Sequence, residues 1–196
     1  MAGLAFFGFS LGLVVRADLG LAPWDVFHQG VSNQVGWSLG TVIVATSFVV
    51  VMLWIPIRER PGVGTLANAV LVGIWVDVSL WILPEVLSSL VVRTVVLVVG
   101  IVVNGVATGL YIGARFGSGP RDGLMTGLAA RGYSVRVVRT IIEAIVLISG
   151  FALGGSVGLG TVLFAVAIGP IAHQAIPFFT KFTSPTPKQT VTPSST

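Results

Sequence analysis

The segments GLAPWDVFHQG (Gly20–Gly30) and GSGPRDGLMTG (Gly117–Gly127) share one pattern, Gly-x-x-Pro-x-Asp-x-x-x-x-Gly. The pattern has chemistry in it. Proline in the first turn of a helix gives up an N–H that would have no intrahelical partner. An acid two residues later sits where the helix dipole favours negative charge. A helix start also presents free backbone N–H groups, which suit an anion or another polar ligand. The candidate substrate-contacting residues are therefore Gly20, Pro23 and Asp25 in the first copy and Gly117, Pro120, Arg121 and Asp122 in the second. Arg16, ahead of the first copy, would reinforce an anion there. A structural reading stands beside this one: two interfacial helices, each stabilised by its own acid.

Three ionisable residues fall inside long apolar runs: Asp77, Glu143 and His173. A charge at a bilayer centre costs about 2.5–3.5 kcal/mol even on the lenient insertion scale, so such groups face a protein interior or a wet cavity. Together they could form a proton or ion relay. Locally, Arg139 and Glu143 are four residues apart and can pair on one helix face, and Asp77 lies about two turns from a helix end. Asn68 and Asn104 are also placed within apolar runs.

The elements that must position these groups are helices in a membrane. The chain is 54% hydrophobic and 9% charged, against about 25% charged in soluble domains. Its mean hydropathy is +0.97. The apolar runs are of helix length rather than the short alternating segments of a barrel. Six spans are expected, at 2–17, 39–57, 64–84, 90–114, 135–153 and 159–180. The first is short. No basic segment precedes it and no clear cleavage site follows, so a removable signal peptide is not expected. The connections 18–38 and 115–134 are too long for plain turns, and each holds one motif followed by a short helical stretch. The Pro/Ser/Thr-rich tail 183–196 is expected to be disordered.

The two motifs belong to a longer repeat. A shift of 97 residues places Gly8, Gly12, Gly20, Pro23, Asp25 and Gly30 on Gly105, Gly109, Gly117, Pro120, Asp122 and Gly127. After a one-residue deletion, Gly36 and Ser38 meet Gly132 and Ser134, GVGT at 62–65 meets GLGT at 158–161, Gly73 meets Gly169, and Asp77 meets His173. Each repeat (1–84 and 90–182) holds three spans, so the second copy must run in the opposite orientation. With the N-terminus inside, Arg58, Arg60, Arg115, Arg121, Arg131, Arg136, Lys181 and Lys188 fall on the inner side, and little beyond Arg16 and Arg93 on the outer. The positive-inside rule then gives both termini in the cytoplasm. The expected fold is all-α: six transmembrane helices as two inverted three-helix repeats, a recurring plan of secondary transporters.

The ladder Gly105, Gly109, Gly113, Gly117 and the pair Gly8, Gly12 recur every four residues. Small residues at that spacing let helices approach closely, and the expected pairing is first span against fourth. The five tryptophans fall mostly near predicted helix ends, as an aromatic belt would. Cysteine is absent, which excludes disulfides and thiolate metal sites. His-Glu-x-x-His and P-loop motifs are also missing from the sequence. No enzyme activity, cofactor or nucleic-acid partner is expected, and the basic pI of about 10.4 is assigned to cytoplasmic loops.

The stretch GLAPWDVFHQGVSNQVGWSLGT, with GLYIGARFGSGPRDGLM in the second half, resembles the YczE-like group of bacterial membrane proteins, related to the YyaS/YitT set. The resemblance covers nearly the whole chain except the tail. It implies a bacterial inner-membrane protein and supplies no substrate or catalytic residue. Two function classes stay open. One is a small secondary transporter or permease for a polar or anionic small molecule, with proton coupling as an option. The other is a non-transporting membrane partner that stabilises or localises another protein. A homodimer is compatible with either.

Overall fold

The computed structural model describes residues 1–85, 87–114 and 117–183, the last three as backbone. Arg115, Lys188 and the expected tail beyond its first residue lie outside the described residues. The described chain is helical, in the order α1 (Ala2–Ala17), α2 (Pro23–Val35), α3 (Leu39–Met52), α4 (Val63–Ile82), α5 (Leu90–Gly113), α6 (Pro120–Ala129), α7 (Val135–Ala152) and α8 (Leu159–Thr183). No strand is found among the described residues. The two extra short helices, α2 and α6, start at the prolines of the two motifs.

Local chemistry sets these limits. Ser38 and Ser89 cap α3 and α5, accepting the N–H groups of Thr41 and Val92. Such caps satisfy donors that a helix start leaves free. Gly62 and Gly158 each donate their N–H to a threonine three residues on, Thr65 and Thr161, at 3.2 Å. Gly20 and Gly117 have φ of 109° and 124°, a region that side chains rarely adopt. They turn the chain into α2 and α6 under close contact. A Cβ at Gly20 would lie 2.8 Å from Thr161 Oγ1, and one at Gly117 would lie 3.0 Å from Thr65 Oγ1.

Three helices are long and apolar enough to cross a membrane: α4, α5 and Leu159–Thr180 of α8. The pair α2 and α3, bent by 113° between them, meets the same criterion together. The remaining two expected spans fall short for separate reasons. Helix α1 has 16 residues, about 24 Å at 1.5 Å per residue. Helix α7 carries Arg136, Arg139 and Glu143.

Helix α5 is central, packed on α1 and α8, while α1 also packs on α4. Helix α4 in turn holds α3, and α7 lies mainly against α2. The glycines make these contacts with a different pairing from the expected one. Gly8 and Gly12 face α4, at Val72, Trp75 and Ser79. Gly105, Gly109 and Gly113 face α8, at Ile171, Ala175 and Phe179. The α1–α5 contact instead uses Gly3 against Leu110 and Gly100 against Leu13 and Val14. Four-residue spacing defines one face of a helix, but both helices have more than one neighbour, and spacing does not choose between them.

The tryptophans also divide. Trp37, Trp75 and Trp81 are exposed, as a belt requires, whereas Trp24 and Trp54 are buried. These two join Val50, Leu124, Met125 and Val138 in a core between α2, α3, α6 and α7. Trp54 Nε1 donates to the Pro120 carbonyl at 3.0 Å, which gives its indole N–H the partner that a buried tryptophan needs.

Candidate functional site

Helices α2 and α6 bring their first turns to the same place. Pro23, Trp24 and Asp25 of one and Pro120, Arg121 and Asp122 of the other line a partly open cavity of about 370 Å³. The guanidinium of Arg121 stacks over the Trp24 ring, 5.1 Å from its centroid. This is a cation–π contact between positions 97 residues apart. Arg121 also lies 3.8 Å from Asp25 Oδ1. Its charge therefore serves the first motif rather than its own. Arg16 does not, since its guanidinium donates to the Leu80 carbonyl at the end of α4.

The two acids have different surroundings. Asp25 is 3% exposed, and His28 Nδ1 lies 3.2 Å from its Oδ1. His28 is three residues on along the same helix face and is itself buried. Asp122 is half-buried and accepts the Tyr111 hydroxyl at 2.6 Å. Neither carboxylate forms a side-chain cap on its own helix.

Glu143 of α7 and His173 of α8 line the cavity as well. Arg139 Nε donates to Glu143 Oε1 at 2.8 Å, on side chains that are 52% and 28% exposed. An ion pair that open is worth about 0–1 kcal/mol. Glu143→Gln is therefore expected to change unfolding free energy by less than about 1 kcal/mol, measured by chemical denaturation in detergent. A larger loss would mean that the pair holds α7 in place.

Asp77 is not among the cavity residues. It accepts the Ser38 hydroxyl at 2.6 Å and the Gly40 N–H at 2.7 Å. It thus ties α4 to the first turn of α3. Gly20 and Gly117 lie behind the cavity, as the turns that deliver α2 and α6. Asn104 lines it from α5 and donates to Ser10 Oγ of α1 at 2.8 Å, a buried polar link in the α1–α5 contact.

Tyr111, Trp24 and His28 were not candidates from sequence. His28 had a usable signal, because an i, i+3 spacing from Asp25 puts both on one helix face. Tyr111 had none, since it meets Asp122 only through the fold. No group of three or more His, Asp or Glu with metal-holding geometry occurs among the described residues.

A family model described as a family of unknown function, DUF6198, matches residues 1–177. The chain is 37% identical over 173 residues to an uncharacterized protein of Haemophilus influenzae, covering 87% of this chain and 78% of that one. It is 34% identical over 179 residues to the uncharacterized membrane protein YczE of Bacillus subtilis, covering 90% and 83%. It is 28% identical over 181 residues to the uncharacterized protein YyaS of the same organism, covering 89% of each. No solved structure matches.

Proposed function

Since the chain belongs to the DUF6198 family, alongside the membrane protein YczE and YyaS, we propose that it is a small secondary transporter built from two inverted three-span repeats. Its cargo is a polar or anionic small molecule held in the cavity between α2 and α6. Glu143 and His173, which line that cavity, carry the coupled proton in this reading. Both termini are cytoplasmic.

One observation carries this reading. Two short helices, each led by Gly-x-x-Pro-x-Asp, point their first turns into one partly open cavity. Paired short helices with facing starts are a recurring way to hold polar cargo within a membrane protein.

Contacts at matching positions support the repeat. Gly20 rests on Gly158 and Thr161, and Gly117 rests on Gly62 and Thr65. The partners of the second contact precede those of the first by 96 residues. Helix α1 packs on α4 as α5 packs on α8. One contact breaks the match and supports a moving part. Helix α3 is seated on α4, with Gly40 and Gly73 in close backbone contact and Asp77 bonded to Ser38. The counterparts on α7 and α8 stand apart with the cavity between them, and a Cβ at Gly169 would meet nothing within 4 Å. An inverted repeat with one seam closed and its twin open is what alternating access requires.

Two measurements test the reading. Reporter fusions at residue 60 and at the C-terminus are expected to read cytoplasm, and one near residue 87 to read outside. A cytoplasmic signal near 87 removes the inverted repeat. Proteoliposomes incubated in a bacterial metabolite extract, then washed and read by mass spectrometry, are expected to retain at least one small polar compound that protein-free liposomes lack. Retention of none removes transport.

A further inference from the structure

The charges of the cavity do not pair off evenly. It is lined by three carboxylates, Asp25, Asp122 and Glu143, and two guanidiniums, Arg121 and Arg139. Glu143 is matched by Arg139 at 2.8 Å. Asp25 has both His28 and, at 3.8 Å, Arg121. Asp122 has no cation within 4 Å among the described residues, only the Tyr111 hydroxyl at 2.6 Å. Asn68 is close by, since a Cβ at Gly119 would lie 3.2 Å from Asp122 Oδ2 and 3.4 Å from Asn68 Nδ2. A carboxylate partly withdrawn from water favours a positive partner. Phe7 and Tyr111, edge to face at 5.7 Å, line the same cavity, and aromatic rings suit an organic ammonium.

The adjacent residue has the opposite surplus. Arg121 is stacked on Trp24, which fixes the plane of its guanidinium. At 3.8 Å its approach to Asp25 is too long for a hydrogen bond. The N–H fork stays available to a second, planar anion. Trp24 is 8% exposed and carries the guanidinium on one ring face. The first turn of α6 thus sets an unmatched negative charge and an under-used positive one side by side.

We propose that the cavity binds a compact zwitterion, its ammonium on Asp122 and Tyr111 and its carboxylate on Arg121. This narrows the cargo of the transport reading and rests on the same cavity. At about 370 Å³ the space lies near the lower end of small-molecule sites, which run from about 300 to 1,000 Å³.

The test uses purified full-length protein in detergent and three matched probe sets: ω-amino acids from β-alanine to 6-aminohexanoate, the carboxylates of the same lengths, and the alkylammoniums. At least one amino acid is expected to raise the melting temperature, with both single-charge analogues of its length far weaker. Asp122→Asn and Arg121→Gln are each expected to weaken its apparent affinity on the order of tenfold or more, judged against the ligand-free melting of the same variant. Equal stabilisation by a carboxylate or an alkylammonium, an undiminished response in Asp122→Asn, or no response to any amino acid overturns the proposal. Binding of an amino acid without flux in proteoliposomes would keep the zwitterion site and remove the transporter.

Discussion

Asp25→Ala is expected to lower the unfolding free energy by about 1.5–3 kcal/mol, the range for a hydrogen bond to a charged group that is left unmade. The carboxylate lies between His28 Nδ1 at 3.2 Å and Arg121 at 3.8 Å. Its removal leaves two groups without their partner. His28 is 1% exposed and its Nε2 already has none, so the imidazole would have no hydrogen bond at either nitrogen. Arg121 would keep its stacking on Trp24 and lose its only carboxylate within 4 Å among the described residues.

Replacement by asparagine separates the two effects. Asn offers His28 an acceptor and removes the negative charge, so Asp25→Asn is expected to cost less, about 0.5–1.5 kcal/mol. Adding Arg121→Leu to Asp25→Ala removes the stranded cation and should recover part of the loss. Chemical denaturation of the three variants in detergent measures this order. A loss below about 1 kcal/mol for Asp25→Ala would mean that the acid only decorates the first turn of α2, as an exposed first-turn charge would.

The contrast between Asp25 and Asp122 shows what was legible in the sequence. Apolar run length and the Gly-x-x-Pro-x-Asp starts placed seven helices within three residues at each end, because those signals are local, while α3 stops at Met52, five residues short of the expected end. The repeat at 97 residues also pointed to the two motifs as a pair. What each acid touches could not be read in the same way. Asp25 takes its second partner from α6, and Asp122 takes its partner from α5. Arg121 and Trp24 occupy the same position of the repeat, yet nothing in either segment says that they stack. The glycine ladder gave a face and not a neighbour. Asp77 and His173 likewise share a position, but only Asp77 has its serine and its N–H donor within reach.

That last difference leads to the second large effect. Gly169→Leu is expected to leave the protein folded and at least as stable, while preventing α7 from closing on α8. In the structure a Cβ at Gly169 meets nothing within 4 Å, and leucine is the better helix former by about 0.5–1 kcal/mol. Its counterpart is Gly73, where a Cβ would collide with the Gly40 carbonyl and lie 2.6 Å from Val44 Cγ2. If α7 and α8 form the same seam in the other half of the cycle, the added side chain must fit where only glycine does. Overpacking of that kind costs about 1–3 kcal/mol. At about 1.4 kcal/mol per decade, the closed population falls roughly five- to hundredfold. Gly73→Leu places the same strain in a seam that is already closed, so it is expected to lose about 1–3 kcal/mol of stability instead. The absence of cysteine makes closure measurable without a substrate. The pair Ser134→Cys/His173→Cys, which mirrors Ser38 and Asp77, should form a disulfide in membranes under mild oxidation. Adding Gly169→Leu should cut that yield by about tenfold. Equal trapping with and without Gly169→Leu would sink the moving seam, and so would a Gly73→Leu protein as stable as the parent.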